Sequence, residues 1–137
     1  MNSHFELSNT ELEEQFKNCT LDPNLFGHEA HLRLAWIHIE KYGVDKAIEN
    51  LCHDIKSFAE SIGAKTKFNK TVTVAAVRAV HHFILRSGSE DFQTFIAENK
   101  ELKTDFKRLI SSHYSTDIFN SEKARLEFLE PELLPFD

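Results

Sequence analysis

The stretch from residue 26 to residue 43, Phe-Gly-His-Glu-Ala-His-Leu-Arg-Leu-Ala-Trp-Ile-His-Ile-Glu-Lys-Tyr-Gly, allows few folds. It reads as one helix, closed at Gly43 just after Lys41 in its last turn. At about 100° per residue, Glu29, Arg33 and Glu40 share one narrow polar arc, with Lys41 apart from them. Leu32, Ala35, Trp36 and Ile39 mark the apolar centre, and Leu34 and Ile37 carry apolar character to the far side. His28 falls within the apolar arc, and His31 and His38 lie on its shoulder. A helix that is apolar over most of its circumference is buried on most sides. The rest of the chain must therefore wrap around it, and imidazoles go inside with it. The pattern predicts a compact helical fold with a polar pocket beside this helix.

Length and charge narrow the function classes. The chain has 137 residues, enough for one domain over 1–137 that buries most of the surface its unfolded form exposes. Four glycines and three prolines favour helices over sheets. A net charge of −6 argues against nucleic-acid binding, which needs a clustered basic face. Cys19 and Cys52 lie in separate helical patterns without metal-type spacing and read as free thiols of a reducing compartment. The opening Met-Asn-Ser-His-Phe-Glu-Leu lacks the basic region and apolar core of a signal peptide. No apolar run approaches the roughly 20 residues of a membrane span. The expected location is the cytosol, with no membrane contact.

In chain order, a first helix is expected over residues 9–19, capped by Ser8, Asn9 or Thr10, with Leu12, Phe16 and Cys19 inward. Pro23 then enforces a turn before the histidine-bearing helix. Residues 44–62 give the cleanest amphipathic repeat, in Val44, Ala47, Ile48, Leu51, Ile55, Phe58, Ala59 and Ile62. The short connection at Tyr42-Gly43 makes this helix an antiparallel neighbour of the previous one. Glu49 and His53, although at i and i+4, point away from its stripe and read as a solvated face. Residues 63–70 form a basic loop, and Asn69 or Thr71 caps a second central helix over residues 71–87. Further helices are expected around Phe92, Phe95 and Ile96, around Leu102, Phe106, Leu109 and Ile110, and over residues 122–129. The tail from Glu130 reads as extended and tucked in by Leu133, Leu134 and Phe136. The expected fold class is all-α, a single compact bundle of six or seven helices.

Chemistry must come from polar residues that the pattern drives inward: His28, His31, Asn69, Thr73, His81, His113, Tyr114 and Arg125. A His-x-x-His step puts His28 and His31 one helical turn apart, close enough to ligate one metal ion. The same step arises readily by chance in a chain with eight histidines, and each is equally readable as a satisfied core or boundary residue. Di-metal helical bundles use Glu-x-x-His pairs and inward carboxylates, which this chain lacks. There is no glycine-rich phosphate loop and no cysteine in a nucleophile's setting. Lys65, Lys67 and Lys70 form a basic cluster beside a helix start, readable as an anion site or as a solvated loop.

Three segments together carry a resemblance. They are Phe26-x-His28-x-x-His31-Leu-Arg-Leu-Ala-Trp36, then Phe68-Asn69-Lys70-Thr71-Val72-Thr73, and finally Tyr114-Ser115 followed by Ser121-Glu-Lys-Ala124-Arg125 and Pro131-Glu-Leu-Leu-Pro135. From residue 26 to residue 135 the chain resembles a family of small bacterial all-helical proteins without established function. That family carries aromatic-x-His-x-x-His-Leu-Arg-x-Ala-Trp, Tyr-His-x-Thr-x-Thr and Ser-x-x-Ala-Arg motifs. The resemblance implies a shared pocket of two histidines, a third histidine, Thr, Tyr and Arg. Here Asn69 stands where the family pattern has that third histidine. Two imidazoles and an amide bind zinc or iron poorly.

The expected pocket is lined by His28, His31, Asn69, Thr73, Tyr114 and Arg125. Three functions remain open. The first is a non-catalytic module whose partner is a small molecule or a protein. The second is a small-anion-binding protein or enzyme using His28, His31 and Arg125. The third is a metal-dependent enzyme centred on His28 and His31, with His81 or His113 completing a transition-metal site. No cofactor is expected under the first two readings, and a homodimer is open under all three.

Overall fold

The computed structural model describes residues 3–136; Met1, Asn2 and Asp137, the ends of the expected 1–137 domain, lie outside them. Among the described residues there are eight α-helices and no strand. They are α1 (Asn9–Lys17), α2 (His28–Tyr42), α3 (Val44–Ser61), α4 (Lys70–Ile84), α5 (Phe92–Glu98), α6 (Glu101–Thr104), α7 (Phe106–Ser111) and α8 (Glu122–Leu126). The fold is the all-α bundle expected from the sequence. The count reaches eight because the helix expected through Leu102, Phe106, Leu109 and Ile110 breaks at Asp105, whose backbone leaves the helical region at φ −127°, ψ 29°. No helix of the described residues is long and apolar enough to cross a membrane.

Local chemistry sets the boundaries. Ser8 begins α1 with a capping box, its hydroxyl accepting from the Glu11 amide while the Glu11 carboxylate accepts from the Ser8 amide. Asp91 and Ser121 cap α5 and α8 in the simpler way. Gly43 sits at φ +85°, a conformation that side chains rarely adopt, and so turns α2 directly into α3.

Helices α2, α3 and α4 pack against one another and form the centre of the molecule. Helix α1 lies across α2 and α3, α5 and α6 lie against α2, and α8 against α4. Leu32, Leu34, Ala35, Ile37 and Ile39 are all buried, so α2 is enclosed nearly all round. Trp36, only 6% exposed, meets the ring of Phe92 edge-on.

Two terminal segments clamp the bundle, the N-terminal one built on a 3-10 turn at His4–Glu6. At the N-terminus, residues 3–8 fold over α2 and are held by Arg33, which is buried. Its guanidinium donates to the carbonyls of His4 (2.7 Å) and Leu7 (2.9 Å) and to Oδ1 of Asn9 (2.9 Å). At the C-terminus, the tail after α8 is pinned by side chains that give their N–H or O–H to its carbonyls. Thr71 donates to Glu127, Tyr114 to Leu129, His113 to Leu134 and His82 to Phe136. Of the three tail residues expected to tuck in, only Phe136 does, stacked on His113 at 4.1 Å. Leu133 and Leu134 are 54% exposed, because the carbonyl of Leu134 and the amide of Leu133 are the groups turned towards His113.

Candidate functional site

A cavity of about 780 Å³ opens where the N-terminal end of α2 meets α3, α4 and the α6–α7 break. Its walls are largely apolar: Leu32 and Ala35 from α2, Leu51 and Ile55 from α3, Val72, Ala76 and Val77 from α4. Four aromatic rings, Phe26, Phe68, Phe106 and Phe119, close its sides. His28, His31, Asn69 and Thr73 are brought together on this cavity.

Each of the four is tied to the scaffold. Asn69 caps α4, its Oδ1 accepting from the Val72 amide (2.9 Å) while its Nδ2 donates to the Ile118 carbonyl (2.8 Å). The Thr73 hydroxyl donates back to the Asn69 carbonyl at 2.8 Å. His28 shares a 3.0 Å hydrogen bond with the Leu102 carbonyl; since a carbonyl only accepts, Nε2 carries the proton. By the same reasoning His31 donates from Nδ1 to the Gly27 carbonyl at 3.1 Å.

His31 is the most perturbed member. Its ring stacks on Phe26 at 3.8 Å, and protein crowds it although part of its surface reaches the cavity. Burial disfavours the imidazolium and pushes its pKa down to about 4; the Gly27 hydrogen bond opposes this and the neighbouring His28 adds to it. At neutral pH the ring is therefore uncharged, protonated on Nδ1 and bare on Nε2.

Charge is supplied by residues that the sequence pattern did not single out as one group. Lys103, Lys107 and Arg108, carried by the α6–α7 break, line the cavity together with Lys67. Among the described residues the one carboxylate in the lining is Asp105, which pairs with Arg108 at 3.2 Å. Lys103 reaches Oε2 of Glu29 at 2.9 Å, and Lys107 lies over the Phe119 ring at 5.5 Å. Lys67 makes no ion pair among the described residues. Of the lysine cluster read from the sequence, Lys67 faces the cavity, while Lys65 and Lys70 do not line it. A signal was present in the alternation of Lys103, Lys107 and Arg108 with Phe106, but it carries weight only once the chain is known to break at Asp105.

Two expected pocket residues lie elsewhere. Tyr114 is buried against Phe136, and its hydroxyl is given to the Leu129 carbonyl at 2.8 Å. Burial, ahead of its charged neighbours, pushes its pKa up to about 12. Arg125 belongs to α8 and pairs with Glu122 at 3.6 Å. Neither lines the cavity: Tyr114 holds the tail, and Arg125 lies on α8, which packs against α4. The third metal ligand is likewise missing. His81 borders a separate hollow of about 220 Å³ with Arg78, Asp45 and Glu130, and His113 is committed to the tail. Among the described residues no group of three His, Cys, Asp or Glu side chains is placed to hold a metal ion.

What this arrangement can do follows from its parts. An apolar wall takes an apolar body, cations at the mouth take an anion, and the N-terminal end of α2 at Gly27 adds positive potential there. Comparison with protein-family models, curated proteins and solved structures finds no match.

Proposed function

We propose that the chain is a non-catalytic binding module whose cavity takes a small amphiphilic anion, an apolar body ending in a carboxylate or similar group. One observation carries this reading: a chain of net charge −6 gathers four cations and a single carboxylate around an apolar cavity. Its volume lies within the roughly 300–1,000 Å³ usual for small-molecule sites. The anion is held by Lys67, Lys103, Lys107 and Arg108, and not by His31, which is neutral at physiological pH. Catalysis is not part of the proposal, because an imidazole with a pKa near 4 is a poor match for proton transfer near pH 7. The reading includes a cytosolic location, supported by Cys19 and Cys52 standing as free thiols.

The test is competition between two surfactants of the same chain length and opposite charge. Protein loaded with 8-anilinonaphthalene-1-sulfonate is titrated with decanoate and with decyltrimethylammonium, well below their micellar concentrations. Decanoate should displace the dye at a concentration about tenfold lower, a difference of one favourable charge contact. Replacing Lys67 and Lys107 together by Glu should abolish that preference. Equal displacement by the two surfactants contradicts the proposal.

A further inference from the structure

The hydrogen-bonding pattern inside the cavity is one-sided. Each neutral side-chain donor group on the wall has an acceptor in the protein: Asn69 Nδ2 in Ile118, the Thr73 hydroxyl in Asn69, the Thr104 hydroxyl in Lys100, His28 Nε2 in Leu102 and His31 Nδ1 in Gly27. At the mouth stand the charged donors, Lys67, Lys103, Lys107 and Arg108, beside the uncapped N-terminal end of α2. With Nδ1 turned to Gly27 and one ring face covered by Phe26, the atom of His31 left to the cavity is Nε2, a lone-pair acceptor. Among the described residues no protein group satisfies it and no buried polar side-chain atom lacks a partner, so Nε2 is not buried and is open to the cavity that His31 lines.

A bare acceptor in an apolar wall is costly to cover with hydrocarbon and favourable to cover with a donor. Resting on the reading above, we propose that the ligand carries a hydroxyl or N–H group on its apolar body, that this group donates to Nε2 of His31, and that His31 thereby selects hydroxylated or amide-bearing amphiphilic acids over plain ones. His31 is fixed for this task from three directions. Its place in the first turn of α2 sets its position, the Gly27 carbonyl sets its tautomer, and the Phe26 ring sets its plane. An alkyl carboxylate without such a donor fills the same space but leaves Nε2 without a partner.

Calorimetric titration of the full chain with three kinds of ten-carbon acid tests this. The probes are decanoate, its 2-, 3- and 9-hydroxy derivatives, and the corresponding oxo acids. An apolar cavity without the acceptor would bind decanoate best, because either polar substituent costs desolvation. The proposal predicts a different order for at least one position: hydroxy acid tighter than decanoate by about fivefold, the size of one net hydrogen bond, and oxo acid weaker than decanoate. In His31→Phe, which keeps an aromatic ring against Phe26, decanoate affinity should stay within about twofold of wild type while the hydroxy preference vanishes. Where that variant does not fold, His31→Gln serves: its amide both donates and accepts, so the penalty on the oxo acid should disappear. Decanoate binding as tightly as every hydroxy acid overturns this inference and leaves the amphiphile reading standing. A hydroxy preference that survives in His31→Phe overturns the assignment to His31. Binding of none of the acids overturns both.

Discussion

Arg33 and His31 are two residues apart on α2; Arg33 is buried, and His31 is half-buried beside the cavity. Arg33 is fully engaged: its guanidinium reaches two backbone carbonyls, Asn9 and, at 3.2 Å, Nδ1 of His4. His4 in turn gives its Nε2 proton to Glu29 at 2.8 Å, and Glu29 also holds Lys103. His31 has one nitrogen engaged and one left to a cavity. In the C-terminal clamp His82, His113, Tyr114 and Thr71 likewise give their donors to the protein, here to the tail, and none of the four lines the cavity. Burial of a polar group therefore does not mark a site in this protein. What marks it is an acceptor without a protein partner on the wall of a cavity, as at Nε2 of His31.

The comparison is most sharply broken by removing its engaged member. Arg33→Ala should cost roughly 3–5 kcal/mol, because it strips partners from the His4 and Leu7 carbonyls and frees the N-terminal segment. Urea denaturation measures it. A loss below about 1 kcal/mol would show that the N-terminal clamp is a surface contact, of the kind that single exposed pairs make.

The unengaged member should behave differently, and pH exposes it. Because the folded-state pKa of His31, about 4, lies below the value of about 6.5 in an unfolded chain, the unfolded state binds the extra proton first. Stability is then fully present above pH 6.5 and falls as pH drops towards 4. Between pH 7 and pH 5 this single group should remove about 2 kcal/mol. His38, whose pKa burial also lowers, adds a loss of the same sign. His31→Phe should change stability at pH 7 by about 1 kcal/mol or less, since shape and stacking are kept. The variant should also lose the His31 share of the acid sensitivity. Denaturation curves of both proteins at the two pH values decide this; equal acid sensitivity would show that His31 is solvated rather than held neutral.

Much of the fold is legible because α3 and α2 carry their patterns in full. Val44, Ala47, Leu51 and Phe58 repeat at helical spacing, and Gly43 marks the turn between the two helices. The break at Asp105 is not legible, since Leu102 and Phe106 keep helical spacing across it and no Gly or Pro announces it. That break carries the cations to the cavity, so the charge of the site was hidden with it. Arg33 sits on the polar arc of the α2 wheel, and its burial depends on residues 4–9 folding over it, a tertiary event that helical periodicity does not encode. His28, His31, Asn69 and Thr73 could be brought together from sequence because each lies in the first turn of a central helix or at its cap. Tyr114 and Arg125 are grouped with them by pattern and motif resemblance, but Tyr114 belongs to the tail clamp and Arg125 stays on α8 with Glu122.

On the proposed reading an amphiphilic anion binds in the cavity and not on the exposed apolar residues near the C-terminus. Amide chemical-shift mapping during a titration with decanoate tests it directly, because the two surfaces are separate in sequence. The predicted result is a saturable response at Gly27, His31, Thr73 and Phe106, with Leu126, Leu133 and Leu134 unmoved. A response confined to Leu126, Leu133 and Leu134, or one that rises without saturating, would contradict it.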